Sequence, residues 1–362
     1  MELRNLNRRA CYTLLLAGLF AGMGPQTLAR AQTQTKAEAL YAELEKLSPD
    51  QRLKRLEEGA RAEGQLRLIH SWNRELAEKH MALFKARYPF LKVSMVILGS
   101  QDATERLLAE ATAGRHLTDV VTIEVADIPA VASHVARYDT PVISALLPQF
   151  QMMADKDKRY VPFYWTEQGI SYNTNLLKAE DAPKTWDDLC KPAYKGLVSY
   201  DPPKVRFLVG LYSFMGEERL VKWLECVGKN QPIIQRGMAQ RMNLMLAGDH
   251  AIQGDNYLYY GMKLRESNKA PFAPVWSAEI FASPGVGIIN KNTPYPHAAA
   301  LFSDWLLSPE SQRLTRDEYR GSLTLDHPYL PKDAKMVFVP IVEKEVITRL
   351  LGHWDRLVTR AK

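Results

Sequence analysis

The stretch from Gln65 to Val125 constrains this chain most, because short apolar segments alternate there with amphipathic ones in a regular order. Gln65 to His70 reads as a strand. Arg74 to Tyr88 puts Leu76, His80, Leu83, Phe84 and Tyr88 on one helical face, and Leu91 to Leu98 is apolar again. A helix opened by Asp102, with Glu105 as its capping partner, leads to a third strand from Val120 to Val125. The alternation implies right-handed crossovers and a parallel sheet covered on both faces, so the fold class is α/β. In such sheets ligands sit outside the carboxyl ends of the strands, where helix N-termini point free N–H groups into a crevice. Ser71, Trp72, Asn73, Ser100, Gln101 and Glu124 fall at those ends, with His70 just before them.

The same logic extends in both directions. Upstream, Ser48-Pro49-Asp50-Gln51 supplies an N-cap, a proline at the first helical position and a capping partner, and Gly64 ends that helix. Downstream, Tyr160 to Thr174 is extended and aromatic, Pro183 to Leu189 carries a helix-start signal, and Gly196 to Tyr200 is an apolar strand ending at Asp201-Pro202-Pro203. Helices follow over Lys204 to Met215, over Glu217 to Val227, and through Met242 and Leu246, before the run Asp255-Asn-Tyr-Leu-Tyr-Tyr260. Pro284 to Asn290 is strand-like. Ala298, Leu301, Phe302, Trp305 and Leu306 then form a helical stripe, and Ser308-Pro309-Glu310 starts the next helix.

The first thirty residues are of another kind. Three arginines precede Ala10 to Gly24, which is almost wholly apolar, and Ala29-Arg30-Ala31 is a small-x-small triplet; this is the layout of a secretory signal peptide cut before Gln32. About fifteen apolar residues fall short of the ~20 a membrane span requires. Arg8-Arg9 leaves both the general and the twin-arginine export routes open. Removing residues 1–31 takes away four arginines and one glutamate, which lowers the net charge from +6 to +3. So small a charge, with no basic cluster, argues against nucleic acid as a partner. Cys190 and Cys226 remain, and an oxidising compartment permits but does not require their pairing.

Several segments together resemble the extracellular solute-binding proteins of bacterial ABC importers, in the branch that contains the ferric-ion-binding proteins. They are Gly64 to Trp72, Asp119 to Glu124, Ile170 to Thr174, Pro183 to Leu189, Val198 to Pro202 and Ala299 to Gln312, and the similarity spans about residues 40 to 350. The resemblance implies a periplasmic-binding-protein fold (type II-like): two lobes, two crossover strands near Trp165 to Tyr172 and Phe281 to Ile289, and a ligand cleft that closes by a hinge. The expected division is a signal peptide (1–31), an N-terminal helical segment (32–63), lobe 1 (64–164 with 282–362) and lobe 2 (165–281). It also implies a periplasmic monomer without a cofactor, whose partner is a permease in the inner membrane.

Two cargoes fit that frame. Ferric iron prefers anionic oxygen ligands, and the resemblance places Glu124, Tyr257, Tyr259 and Tyr260 where ferric binders carry a carboxylate and two adjacent tyrosines. The ungapped match, however, puts Leu258 on the second tyrosine and Asn73 on the ligand histidine. A small organic anion (a phosphonate, sugar phosphate or carboxylate) would instead use Ser71, Ser100 or Gln101, with Arg206 or Arg236 as a clamp. Trp72 and Trp165, at strand ends, would stack on it, and Asp201 ends a strand in the same way. A secreted enzyme is the third reading. The chain has no Gly-x-Ser-x-Gly, no His-Glu-x-x-His and no glycine-rich phosphate loop, so an enzyme is not expected.

Overall fold

The computed structural model describes residues 34–202 and 205–360; the expected signal peptide lies outside them. Ten strands form one sheet: β1 (Gln65–His70), β2 (Lys92–Ile97), β3 (Val120–Glu124), β4 (Val161–Asn173), β5 (Val198–Tyr200), β6 (Ile233–Ile234), β7 (Ile252–Tyr257), β8 (Phe272–Pro274), β9 (Ile280–Ile289) and β10 (Met336–Phe338). Their order is β2-β1-β3-β9-β4-β7-β5-β6, with β10 added on β9 and β8 on β4. Parallel trios stand at either end, β2-β1-β3 and β7-β5-β6. Between them run β4 and β9, antiparallel to each other, each pairing with one trio at one end. These are the two crossover strands, and they lie where the sequence puts them.

The helices are α1 (Lys36–Leu44), α2 (Pro49–Glu63), α3 (Arg74–Arg87), α4 (Ser100–Thr112), α5 (Ile128–Val131), α6 (Val205–Lys229), α7 (Met238–Ala247), α8 (Leu258–Asn268), α9 (Pro296–Trp305), α10 (Pro309–Asp317) and α11 (Lys344–Trp354). Local chemistry sets many of their ends. Ser48 and Gln51 form a reciprocal capping box at α2, and Gly64 closes that helix at φ 67°, a left-handed conformation that favours glycine. Ser308 accepts from the Ser311 N–H at the start of α10.

Four expectations need correction. First, α4 starts at Ser100 with Gly99 as an uncapped N-terminal neighbour, two residues before Asp102. Second, the helix-start signal at Pro183 yields only a 3-10 turn, Asp187–Cys190, in which the Asp188 carboxylate accepts from the Lys184 and Thr185 N–H groups. Third, the helical segment expected over 32–63, described from residue 34, does not stand apart. Leu40, Tyr41, Leu44 and Leu56 are buried in the lobe 1 core with Leu301 and Phe302, and the Tyr41 hydroxyl donates to the Pro296 carbonyl at 3.0 Å. Fourth, the end of the chain does not stay in lobe 1: Val339, Leu350, Trp354 and Val358 join the lobe 2 core of α6 and β5. An apolar face on α11 had no place in a reading that stopped at α10.

Cys190 and Cys226 are bonded, tying the 3-10 turn to α6 with Cα atoms 5.4 Å apart and a sequence separation of 36. Reduction should therefore cost about 2–4 kcal/mol through the freed unfolded chain. The check is the difference in Tm between oxidised and reduced protein, and equal values would contradict it. No helix among the described residues is long and apolar enough to cross a membrane.

Candidate functional site

The carboxyl ends of the parallel strands bring the chemistry together. β1 runs into Ser71 and Trp72, β3 ends on Glu124, β5 runs into Asp201, and β7 ends on Tyr257, while α6 begins opposite Glu124. At the centre is Arg206, the second residue of α6 and only 4% exposed. One of its terminal nitrogens donates to Thr166 Oγ1 at 2.9 Å. The other lies 3.1 Å from Glu124 Oε1 and donates to the Tyr257 hydroxyl, whose ring the guanidinium also covers at 4.5 Å. Glu124 belongs to lobe 1 and Arg206 to lobe 2, so this ion pair spans the cleft.

A second guanidinium stands across from it. Arg320 follows α10, is 6% exposed, and donates to the Tyr259 hydroxyl at 3.1 Å. It lies 5.2 Å from the ring centres of both Trp72 and Tyr164, and 4.4 Å from that of Tyr259. The Nε of Arg206 and of Arg320 are both buried without a hydrogen-bond partner. Burial pushes the Tyr164 hydroxyl above its usual value, and the two arginines pull it back. A site holding two buried cations, phenol hydroxyls and an indole face suits an anion with an apolar or sugar-like body.

The lobe 1 wall is held by a chain of neutral polar groups. Ser71 Oγ meets Thr122 Oγ1 at 3.0 Å, and Thr122 meets His70 Nδ1 at 3.3 Å. His70 Nε2 meets His80 Nδ1 at 3.1 Å, and His80 ends on Ser311 at 2.8 Å. Trp72 packs on both imidazoles. Burial lowers His70 to about 3, with Arg320 adding to the shift, and burial also lowers His80 well below its ordinary value. Both rings are therefore neutral in the folded chain. A depressed histidine pKa means the unfolded chain takes up protons first, so the stability it contributes is present above about pH 6.5 and is lost as pH falls below that. Tm should drop steadily from about pH 6.5 toward pH 4, less steeply in His70→Gln; identical slopes would contradict the shift.

Of the residues expected at the site, Trp72, Glu124, Tyr257 and Tyr259 gather around the two arginines, while Ser71 is hydrogen-bonded to Thr122. Ser100 stands behind Glu124, accepting from its N–H at 2.7 Å and donating to Asp127. Asn73 is exposed and caps α3, accepting from the Leu76 N–H at 3.0 Å. Gln101 is exposed and donates to Glu105 at 3.2 Å. Asp201 is buried, its carboxylate lies 4.0 Å from Arg241 Nη2, and its N–H donates to Asp255 at 3.0 Å. Trp165 faces away from the cleft: successive side chains on β4 point oppositely, Tyr164 takes the cleft side, and Trp165 packs on Phe150 and His327 with its N–H on the Ser322 carbonyl. Tyr260 packs against the apolar cluster of Met242, Met245 and Leu258. Arg236 is exposed between β6 and α7. Arg320 was not anticipated. Its position depends on Gly321 pairing with Trp165 across the fold, a contact no local pattern encodes.

Solved structures share this architecture. Iron-bound HitA from Pseudomonas aeruginosa is similar with a TM-score of 0.67 at 15% identity, over 81% of this chain and 99% of that one. AfuA from Actinobacillus pleuropneumoniae, with exogenous fructose-6-phosphate bound, gives 0.66 at 19% identity over 82% and 99%. The ferric binding protein from Campylobacter jejuni gives 0.67 at 17% identity over 81% and 99%. No curated protein matches by sequence. At such identities the likeness establishes the fold, and the family rests on the sequence itself. The model for bacterial extracellular solute-binding proteins matches residues 131–340, more than half of the 362, and those residues include both crossover strands, Arg206, the tyrosine segment and Arg320. This chain is a member of the bacterial extracellular solute-binding proteins.

Proposed function

We propose that this solute-binding protein captures a small organic anion, phosphorylated or carboxylated, between its lobes and hands it to an ABC permease in the inner membrane. The observation that carries the reading is the pair of buried arginines, Arg206 from lobe 2 and Arg320 from lobe 1, each touching a tyrosine hydroxyl and each with an unused buried N–H. A buried N–H without a partner is costly and an anion relieves it. Because the two cations come from different lobes, such a ligand would contact both only when the lobes close. Binding free energy would then shift the population toward the closed form that docks on the permease. The protein would reach the periplasm through a cleavable leader at residues 1–31 and act there as a monomer.

Iron is the weaker reading. Arg206 lies between Glu124 and Tyr257, two of the four oxygen donors a ferric site would need, and its charge repels a trivalent cation. Tyr260 is turned into an apolar cluster, and no group of three or more His, Cys, Asp or Glu among the described residues is placed to hold a metal. The fold does not choose, since an iron-bound and a sugar-phosphate-bound structure both share it. Release of the solute unchanged also fits. A serine–histidine contact in lobe 2, Ser199 with His250 at 2.8 Å, is buried beyond the reach of a substrate.

The test is mass spectrometry with elemental analysis of protein purified gently from its native compartment. A bound organic acid or phosphate ester in a colourless sample is the expected result. A reddish, iron-loaded sample with a tyrosinate charge-transfer band would overturn the anion in favour of iron.

A further inference from the structure

Lobe 1 carries a second cavity that shares no lining residue with the cleft. It has a volume of about 670 Å³ and lies among α2, the end of α3, the 141–145 turn and the junction of α9 with α10. That volume falls within the roughly 300–1,000 Å³ typical of small-molecule sites. Its walls are mostly apolar: Leu53, Tyr88, Val142, Leu301, Trp305 and Leu325. Leu53 of α2 is 41% exposed, an apolar side chain left open to water.

Charge is distributed unevenly over this cavity. Among its lining residues are four arginines (Arg52, Arg87, Arg313, Arg316) and only two carboxylates (Asp304, Glu310). Both carboxylates are engaged within the protein. Asp304 accepts from Tyr138 at 2.7 Å and from Thr140, with buried Arg52 3.4 Å away, and Glu310 accepts from the Trp305 N–H at 2.9 Å. The floor is therefore neutralised. At the rim, Arg87 and Arg313 are exposed and have no carboxylate partner among the described residues, while Arg316 pairs with its neighbour Asp317.

An apolar interior beneath a cationic rim is complementary to one kind of molecule, a hydrocarbon body ending in a single anionic group. We propose that this cavity is a binding site for an amphipathic carboxylate, whose chain lies against Leu53, Val142 and Trp305 and whose head is held by Arg313 and Arg87. Neither the cleft nor its arginines take part.

Calorimetric titration of the full mature chain with sodium decanoate, kept below its micelle concentration, tests this against decanol as the uncharged counterpart. Decanoate should bind saturably at one site, with decanol at least about tenfold weaker. Ala145→Trp, which fills the cavity from an exposed wall position, should abolish binding, and Arg313→Glu at the exposed rim should weaken it about tenfold. Both variants should melt like the parent. Arg206→Gln in the cleft should leave decanoate affinity unchanged. Absence of saturable decanoate binding overturns the proposal. So does equal affinity for decanol, full affinity in Ala145→Trp or Arg313→Glu, or loss of decanoate binding in Arg206→Gln.

Discussion

Replacing Arg206 with glutamine weakens solute capture about a hundredfold, within the range expected from the roughly 2–5 kcal/mol cost of truncating one partner of a buried charge pair. The change removes the cation that touches Glu124 of one lobe and Tyr257 of the other, so affinity and closure fall together. Arg206→Lys keeps the charge but not the planar fork and should lie between the two. Glutamine fits the same space and leaves the α6 core around Phe207, Leu208 and Leu211 untouched. Titration of the parent and both variants with the solute eluted from the native protein is the check. Affinity within about twofold of the parent in Arg206→Gln would mean that the anion does not contact this residue.

The largest effect on stability is expected far from the cleft. Trp354 is wholly buried, with its ring centre 5.6 Å from that of Tyr200 and 6.1 Å from that of Phe207. Trp354→Ala leaves a cavity where α11 meets lobe 2 and should cost about 3–5 kcal/mol. Denaturant unfolding reads this as a lower midpoint with an unchanged slope. A loss below about 1 kcal/mol would place α11 outside the cooperative core.

Those two residues illustrate what the sequence does and does not disclose. Period-based signals were sufficient for β1 to β3, for α2 and α10 with their caps, and for the extended aromatic crossover at β4, because each depends on residues within a turn or two of one another. The strand-end rule singled out Ser71, Trp72 and Glu124, and the family resemblance Tyr257, without knowledge of their partners. Long-range pairing was not legible in this way. Arg320 is brought to Trp72 and Tyr259 by the bridge between Gly321 and Trp165, 156 positions apart in number but adjacent in space. The face that Trp165 shows depends on the phase of β4, set by its partners β9 and β7 and by irregularities in its register. Two helices expected over 204–215 and 217–227 are joined through Gly216 at φ 73°, a conformation open to glycine that lets one element change direction without ending.

Electrostatics adds what spacing could not. Glu124 looks like a metal ligand when it is read alone, at the end of an apolar strand. Beside a buried guanidinium it is half of an ion pair that spans two lobes. Arg206 and Arg320 likewise engage the hydroxyls of Tyr257 and Tyr259 from the tyrosine segment.

The most direct test is a crystal structure of the protein isolated with its natural cargo. Density for an organic anion, with its acidic group within hydrogen-bond distance of Arg206 or Arg320 and its body against Trp72, is the predicted result. A ferric ion bonded to Tyr257 and Glu124, with Arg206 displaced from between them, would contradict it.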